Sequence, residues 1–397
     1  MLHFPESLTP QGFLDRYWQK RPLFLPRGVP HMAPVIDDDE LAWLATEDDV
    51  ESRLVFTEFN KGKVRYRMEH GPFTADFLQS LPATNWTLLV QDVDKHLPDF
   101  RAYFSAASFV PDWRIDDLMI SIAAPGGSVG PHRDNYDVFL LQAAGSREWS
   151  TTTPDAAVPD RQSTGLALLE PFESGDRLIA TPSDVFYLPP GIPHWGIAKD
   201  RCTTYSLGMR APLRRELQAS VALFAASDAT ARSDDADGLP GEDFYRDPDL
   251  VLDEAHPGMI SDRALQRART LLQVGSAFDP LLLARAFGSA VTMPKPWLAP
   301  ENPDPLRVSD YCDALGKRGD VRVHGMAQLA WCDRGSDILL FANGNVRTAG
   351  RNQLHAFRNL CAERWTSADR LDDADRGLLP WLVATGALDL ADIDPPE

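Results

Sequence analysis

Apolar and polar residues alternate with a spacing that changes along this chain. Near the start, Thr9-Pro10 offers an N-cap and a first helical residue. Phe13, Leu14, Tyr17 and Trp18 then recur at helical spacing. Pro22 stops that pattern, and LFLP (23–26) reads as a short strand. RLVFTEFNKGKVRYRM (53–68) predicts a hairpin turning at Asn60-Lys61-Gly62. A short helix is expected over 72–80, a buried strand over NWTLLVQDVD (85–94), and a helix near 97–107.

From about 115 to 210 the rhythm shortens. LMISIAA, YDVFLLQ, REWSTTT, DRLIAT, DVFYLPPGIPHWGIA and TTYSLGM are apolar runs split by Pro, Gly and Asp, as in an antiparallel barrel or double-stranded β-helix. After Pro212 the period becomes helical, with amphipathic stretches at 213–227 and 260–275 flanking an acidic loop at 233–247. The last segment pairs a hairpin over 331–347, turning near Asn343-Gly344-Asn345, with helices over 352–365 and 377–390, the second stopped by Gly386. Helices plus a β-hairpin wing predict a winged-helix-like module.

Composition narrows the class. The chain has 397 residues, 44% hydrophobic and 24% charged, which suits a globular protein of two or three domains. No run approaches the length of a membrane helix. MLHFPESLTP has neither a basic n-region nor an apolar h-region, so no secretory signal is expected. Cys202, Cys312, Cys332 and Cys361 form no CxxC pair, which argues against a disulfide framework or a cysteine zinc site. A reducing, cytoplasmic setting follows as the expectation. The net charge of −19 disfavours general nucleic-acid binding and suits either solubility alone or a strongly basic protein partner.

The candidate chemistry lies in GPHRDNYDVFLLQ (130–142). Good strand formers follow His132 and Asp134, and residues two apart on a strand share a face. This pair is therefore either two metal ligands or the polar side of a half-buried strand. A third ligand is available at His194 in YLPPGIPHWG, behind a turn fixed by prolines and glycine. Two histidines and one carboxylate make the facial triad of non-haem Fe(II) oxygenases, which leaves positions open for a chelating co-substrate and dioxygen. His3, His31, His70, His96, His256, His324 and His355 lack comparable partners and read as surface or core residues.

DDLMIS (116–121), PGGSVGPHRDNYDVFLLQ (125–142), REW (147–149), YLPPGIPHWG (187–196) and YSLGMRAP (205–212) together resemble the bacterial JmjC ribosomal oxygenases. Within that family they are most similar to members that hydroxylate arginine on a large-subunit ribosomal protein. FLDRYWQKRPLFLP (13–26) and WTLLVQDVD (86–94) extend the resemblance. It implies a mixed α and β chain: a double-stranded β-helix of jelly-roll or cupin-like JmjC type (1–212), a helical dimerisation region (213–277) and a C-terminal winged helix (278–397). It also implies Fe(II), 2-oxoglutarate and dioxygen, with His132, Asp134 and His194 on the iron. Arg147 falls on the residue pairing with the far carboxylate of 2-oxoglutarate, and Ser121 on a hydroxyl donor to the same molecule. Asp117, Met119, Tyr136 and Ser206 match the pocket for the substrate arginine. Ser128 departs from the family pattern, standing where another glycine is expected.

Two other readings remain at this point. One is a related oxygenase acting on histidine or another residue, although Asp117 with Tyr136 suits a guanidinium better. The other is a winged-helix regulator with a cupin sensor. Residues 278–397 carry 13 basic and 17 acidic residues, a net of −4, which argues against a DNA-binding recognition face.

Overall fold

A computed structural model describes residues 2–60, 63–153, 168–169, 172, 175–225, 243–300, 303–335 and 337–391. The predicted turn at 61–62 and the acidic stretch up to residue 242 lie outside them. The chain forms two compact units, one of residues 1–109 and 115–209, the other of 110–114 and 210–397.

The first unit is a sandwich of two antiparallel sheets. Its strands are β1 (Leu23–Leu25), β2 (Ser52–Asn60), β3 (Lys63–His70), β4 (Trp86–Val90), β5 (Ile115–Ala123), β6 (Val138–Ala144), β7 (Arg147–Thr151), β8 (Asp176–Ala180), β9 (Val185–Leu188), β10 (His194–Ala198) and β11 (Cys202–Met209). The large sheet runs β1-β9-β6-β11-β5-β4-β2-β3, and the small one β10-β7-β8. All eight residues of β11 are buried because it lies between β6 and β5 and is covered on both faces.

Alternation assigns the two faces of the large sheet. Phe139, Tyr187 and Tyr205 point outward under an aromatic layer. Phe13 and Trp18 cover Phe139 and Tyr187, and Tyr103 packs edge-on against Tyr205 at 5.0 Å. Phe13 is delivered by the expected helix Pro10–Arg16, whose Thr9 side chain accepts from the Gly12 N–H. The inward face carries Val138, Leu140, Phe186 and Leu188 and packs on Trp149 and Ala180 of the small sheet. The helix expected near 97–107 is a 3₁₀ helix, Pro98–Ala107.

The second unit has two apolar clusters. In the first, helices Arg214–Ala225 and Asp262–Leu272 bury Leu217, Leu265, Ala268 and Leu272 against Phe287 of helix Pro280–Thr292 and against Phe341. The second joins β12 (Asp320–Arg322), β13 (Leu329–Asp333), β14 (Ile338–Ala342) and β15 (Asn345–Ala349) to helices Val308–Arg318, Arg351–Glu363 and Leu379–Ala384. β12 pairs with β16 (Trp365–Ser367). The expected hairpin at 331–347 is the second half of a three-stranded meander, β13-β14-β15. Its second turn falls at Asn343-Gly344, both at positive φ.

Candidate metal centre and adjoining pocket

His132, Asp134 and His194 converge, with one ligand atom from each lying within 4.8 Å of the others. Asp134 Oδ1 is 3.9 Å from His132 Nε2, and Oδ2 is 3.6 Å from His194 Nε2. The route to this cluster differs from the one expected. His132 and Asp134 are not on a strand, because β6 begins only at Val138. His132 makes only an isolated bridge, to His194, and residues 133–137 carry no strand.

The backbone brings the three together instead. His132 and His194 exchange both main-chain hydrogen bonds, at 3.0 and 2.8 Å. The Gly191 N–H, at the turn before His194, donates to the Asp134 carbonyl at 2.7 Å. The proline-rich turn thus fixes two of the three residues. Gly196 is needed on the next stretch of β10, where a Cβ would come within 2.5 Å of the Trp149 ring.

The imidazoles are oriented by their far nitrogens. His132 Nδ1 bonds the Gly130 carbonyl at 2.9 Å, and His194 Nδ1 bonds the Ile192 carbonyl at 3.0 Å. A carbonyl only accepts, so each Nδ1 carries a hydrogen and each Nε2 faces the Asp134 carboxylate. Burial, then the neighbouring His132, hold His194 down to about 4, which keeps it neutral and able to ligate. Two imidazoles and a carboxylate on one point form a donor set that fits a single divalent cation.

The inward face of the large sheet adjoins this cluster. Asp117, Met119 and Ser121 alternate on β5 and share that face, while Ser206 of β11 pairs with Met119 and with inward Leu140. Ser121 Oγ donates to the Thr204 carbonyl at 3.4 Å. Arg147 opens β7 and is 3% exposed. Its Nη2 touches Cys202 Sγ at 3.7 Å, and its guanidinium carbon lies 5.6 Å from the Trp149 ring centroid. Among the described residues its Nε has no hydrogen-bond partner and no carboxylate pairs with the group. A buried cation in that state is costly unless an anion joins it.

Asp117 is held from behind. Gln91 Nε2 and the Asp92 N–H both donate to its Oδ2, at 2.7 and 3.2 Å. Its Oδ1 lies 3.0 Å from where a Gly208 Cβ would stand, with the Tyr136 ring 4.0 Å from the same point. Tyr136 is 40% exposed at the rim rather than buried in the core. The nearby Asp134 carboxylate, with Asp117 behind it, raises its phenol well above the ordinary value, so it stays protonated. Gln91 and Gly208 had no role in the sequence reading. Their partner Asp117 lies 26 residues from Gln91 and on the strand facing Gly208, so only strand pairing reveals them.

Both parts of the chain resemble known proteins. Residues 103–217 match the JmjC domain, and residues 275–389 match the ROXA-like winged helix. The chain is 36% identical over 390 residues to the ribosomal protein uL16 3-hydroxylase of Escherichia coli K12, covering 97% of this chain and 98% of that protein. An X-ray structure of E. coli YcfD superposes with a TM-score of 0.69 at 30% identity, covering 98% of this chain and 99% of the other. The structure of YcfD, a ribosomal oxygenase, in complex with cobalt and 2-oxoglutarate gives 0.65 at 32% identity, covering 95% and 96%.

Proposed function

The chain belongs to the JmjC ribosomal oxygenases, and we propose that it is an Fe(II)- and 2-oxoglutarate-dependent dioxygenase that hydroxylates an arginine side chain of a large-subunit ribosomal protein. The observation that carries this reading is Arg147: a buried guanidinium that pairs with no carboxylate among the described residues, in the sandwich that also holds a two-histidine, one-carboxylate donor set. Such an interior is built for a metal and an anionic co-substrate together.

In this reading His132, Asp134 and His194 hold the iron. With 2-oxoglutarate and dioxygen, the iron supplies the oxidising power to hydroxylate an unactivated C–H, which no side chain can provide. Arg147 grips the far carboxylate of 2-oxoglutarate through its planar fork, and the Ser121 hydroxyl adds a donor. Asp117 pairs with the substrate guanidinium, and the Tyr136 ring stacks on its flat face. Met119 and Ser206 line the same pocket. Tyr136, as the exposed member, is the first of these that an incoming peptide meets. The net charge of −19 draws a basic ribosomal protein toward this mouth.

We further propose a catalytic domain over 1–212, a helical dimerisation region over 213–277 and a winged helix over 278–397 that serves assembly or protein contact rather than DNA. No helix among the described residues is long and apolar enough to cross a membrane. We place the enzyme with its ribosomal substrate in the cytoplasm, and a fluorescent fusion found elsewhere would contradict that.

Asp117→Ala tests the substrate. Leaving a buried guanidinium without its carboxylate costs roughly 3–5 kcal/mol, so peptide hydroxylation should fall on the order of a hundredfold or more. Binding of Co(II) and 2-oxoglutarate should persist. Mass spectrometry should find one added oxygen on the arginine peptide and none on a version with lysine in its place. Equal hydroxylation of both, or modification of a histidine, would overturn the arginine assignment.

A further inference from the structure

The segment that delivers His132 runs antiparallel to β10, which carries His194, and the two are tied at both ends. At one end Ala198 N donates to the Gly127 carbonyl at 3.0 Å; at the other, His132 and His194 exchange two main-chain bonds. Between these ties the delivering segment spans one residue more than β10, from 127 to 132 against 198 to 194. It must therefore bow away, and main-chain bonds cannot bridge the gap. Gly127 fits only as glycine, since a Cβ would meet the Trp86 carbonyl at 2.1 Å.

One side chain spans this gap. Ser128 is 1% exposed, and its Oγ accepts the indole N–H of Trp195 at 3.0 Å and the Gly130 N–H at 3.0 Å. Trp195 follows His194 directly. Gly130 supplies the carbonyl that orients the His132 imidazole. A single hydroxyl is thus one bond from the residue whose carbonyl aims one imidazole and one bond from the residue adjoining the other.

We propose that Ser128 is a positioning residue of the metal centre: its hydroxyl fixes the spacing of His132 and His194 by clamping the bowed segment to Trp195. The proposal rests on the reading that these residues bind a metal. Glycine or alanine at 128 would leave two N–H groups in a buried site without this acceptor, and the bow would be free to shift. Outer hydrogen bonds of this kind commonly govern metal affinity by 10–100-fold.

The test titrates the full-length, metal-free chain with Co(II) alone and follows the visible absorption band. Ser128→Ala should raise the apparent Kd on the order of tenfold and alter the band shape, because ligand geometry changes. Trp195→Phe keeps an aromatic ring beside Phe172 but removes the indole N–H together with part of the bicycle, so it should weaken binding in the same direction. If the two act through one bond, the double variant should bind little worse than Ser128→Ala alone. A wild-type Kd and band in Ser128→Ala would overturn the proposal. So would fully multiplicative losses in the double variant. Should Ser128→Ala fail to fold, an unchanged Kd in Trp195→Phe would overturn it alone. Failure of the metal reading looks different: His194→Ala would then take up Co(II) as the wild type does.

Discussion

Replacing Arg147 with lysine keeps the charge and removes the fork. The KM for 2-oxoglutarate should rise by roughly tenfold or more while the fold persists, and steady-state assays at varied 2-oxoglutarate would read it. An unchanged KM would remove Arg147 from the co-substrate site. His194 gives a pH prediction. Its ordinary value is 6.5 and the fold holds it at about 4. Between those values the unfolded chain takes a proton that the folded chain refuses. Stability of the metal-free protein is therefore full above 6.5 and falls as pH drops toward 4, by roughly 3 kcal/mol from this group. In His194→Gln, urea midpoints measured across that window should show a flatter decline than the wild type. At this scale the sequence carried the identities of the metal candidates, because an HxD pair and a proline-bounded histidine are local signals. It did not carry the role of Ser128, whose indole partner lies 67 residues away.

The turn before β10 does more than present His194. Gly191 sits at φ 82°, and its N–H holds the Asp134 backbone. No atom of the described residues lies within 4 Å of an added Cβ there, so against them Gly191→Ala meets backbone strain alone. The variant should lose about 1–2 kcal/mol of stability by thermal or urea unfolding, and Co(II) affinity should fall with it as the Asp134 carbonyl is pulled. Full retention of both would show that the turn tolerates the strain without transmitting it. The proline-glycine pattern made this turn legible in the sequence. The strand assigned to His132 and Asp134 was wrong because period-2 reasoning assumes an uninterrupted ladder, and the ladder of β6 reaches back only to Val138.

At the scale of the whole chain, the strand rhythm of 115–210 identified the sandwich. What it could not give was the recruitment of the N-terminal strands. β1 joins β9 across some 160 residues, with Leu25 opposite Val185, and no local pattern encodes such a pairing. The helical stretches at 213–227 and 260–275 were expected to need a second copy to cover their apolar faces. Much of that cover comes from within the chain, since Leu217, Leu265 and Leu272 pack with Phe287 and Phe341. Apolar residues left only half-buried on Arg214–Ala225, Leu223 and Phe224 among them, are where a twofold pairing would form. Light scattering at micromolar concentration should then give twice the 44.1 kDa chain mass. A monomer would remove the pairing role from this region.

The buried guanidinium of Arg147 has one more consequence, for the end of the catalytic cycle. If it grips a carboxylate, it grips the same carboxylate on 2-oxoglutarate and on the succinate left after decarboxylation, because the reaction does not touch that end of the molecule. The grip is blind to whether the co-substrate has been spent. Only the opposite end, where the 2-oxo group has been lost, differs between the two, so discrimination falls to the metal side of the cavity. An interior that welcomes the fresh anion this strongly will also part reluctantly from the used one, and turnover then depends on how fast succinate leaves.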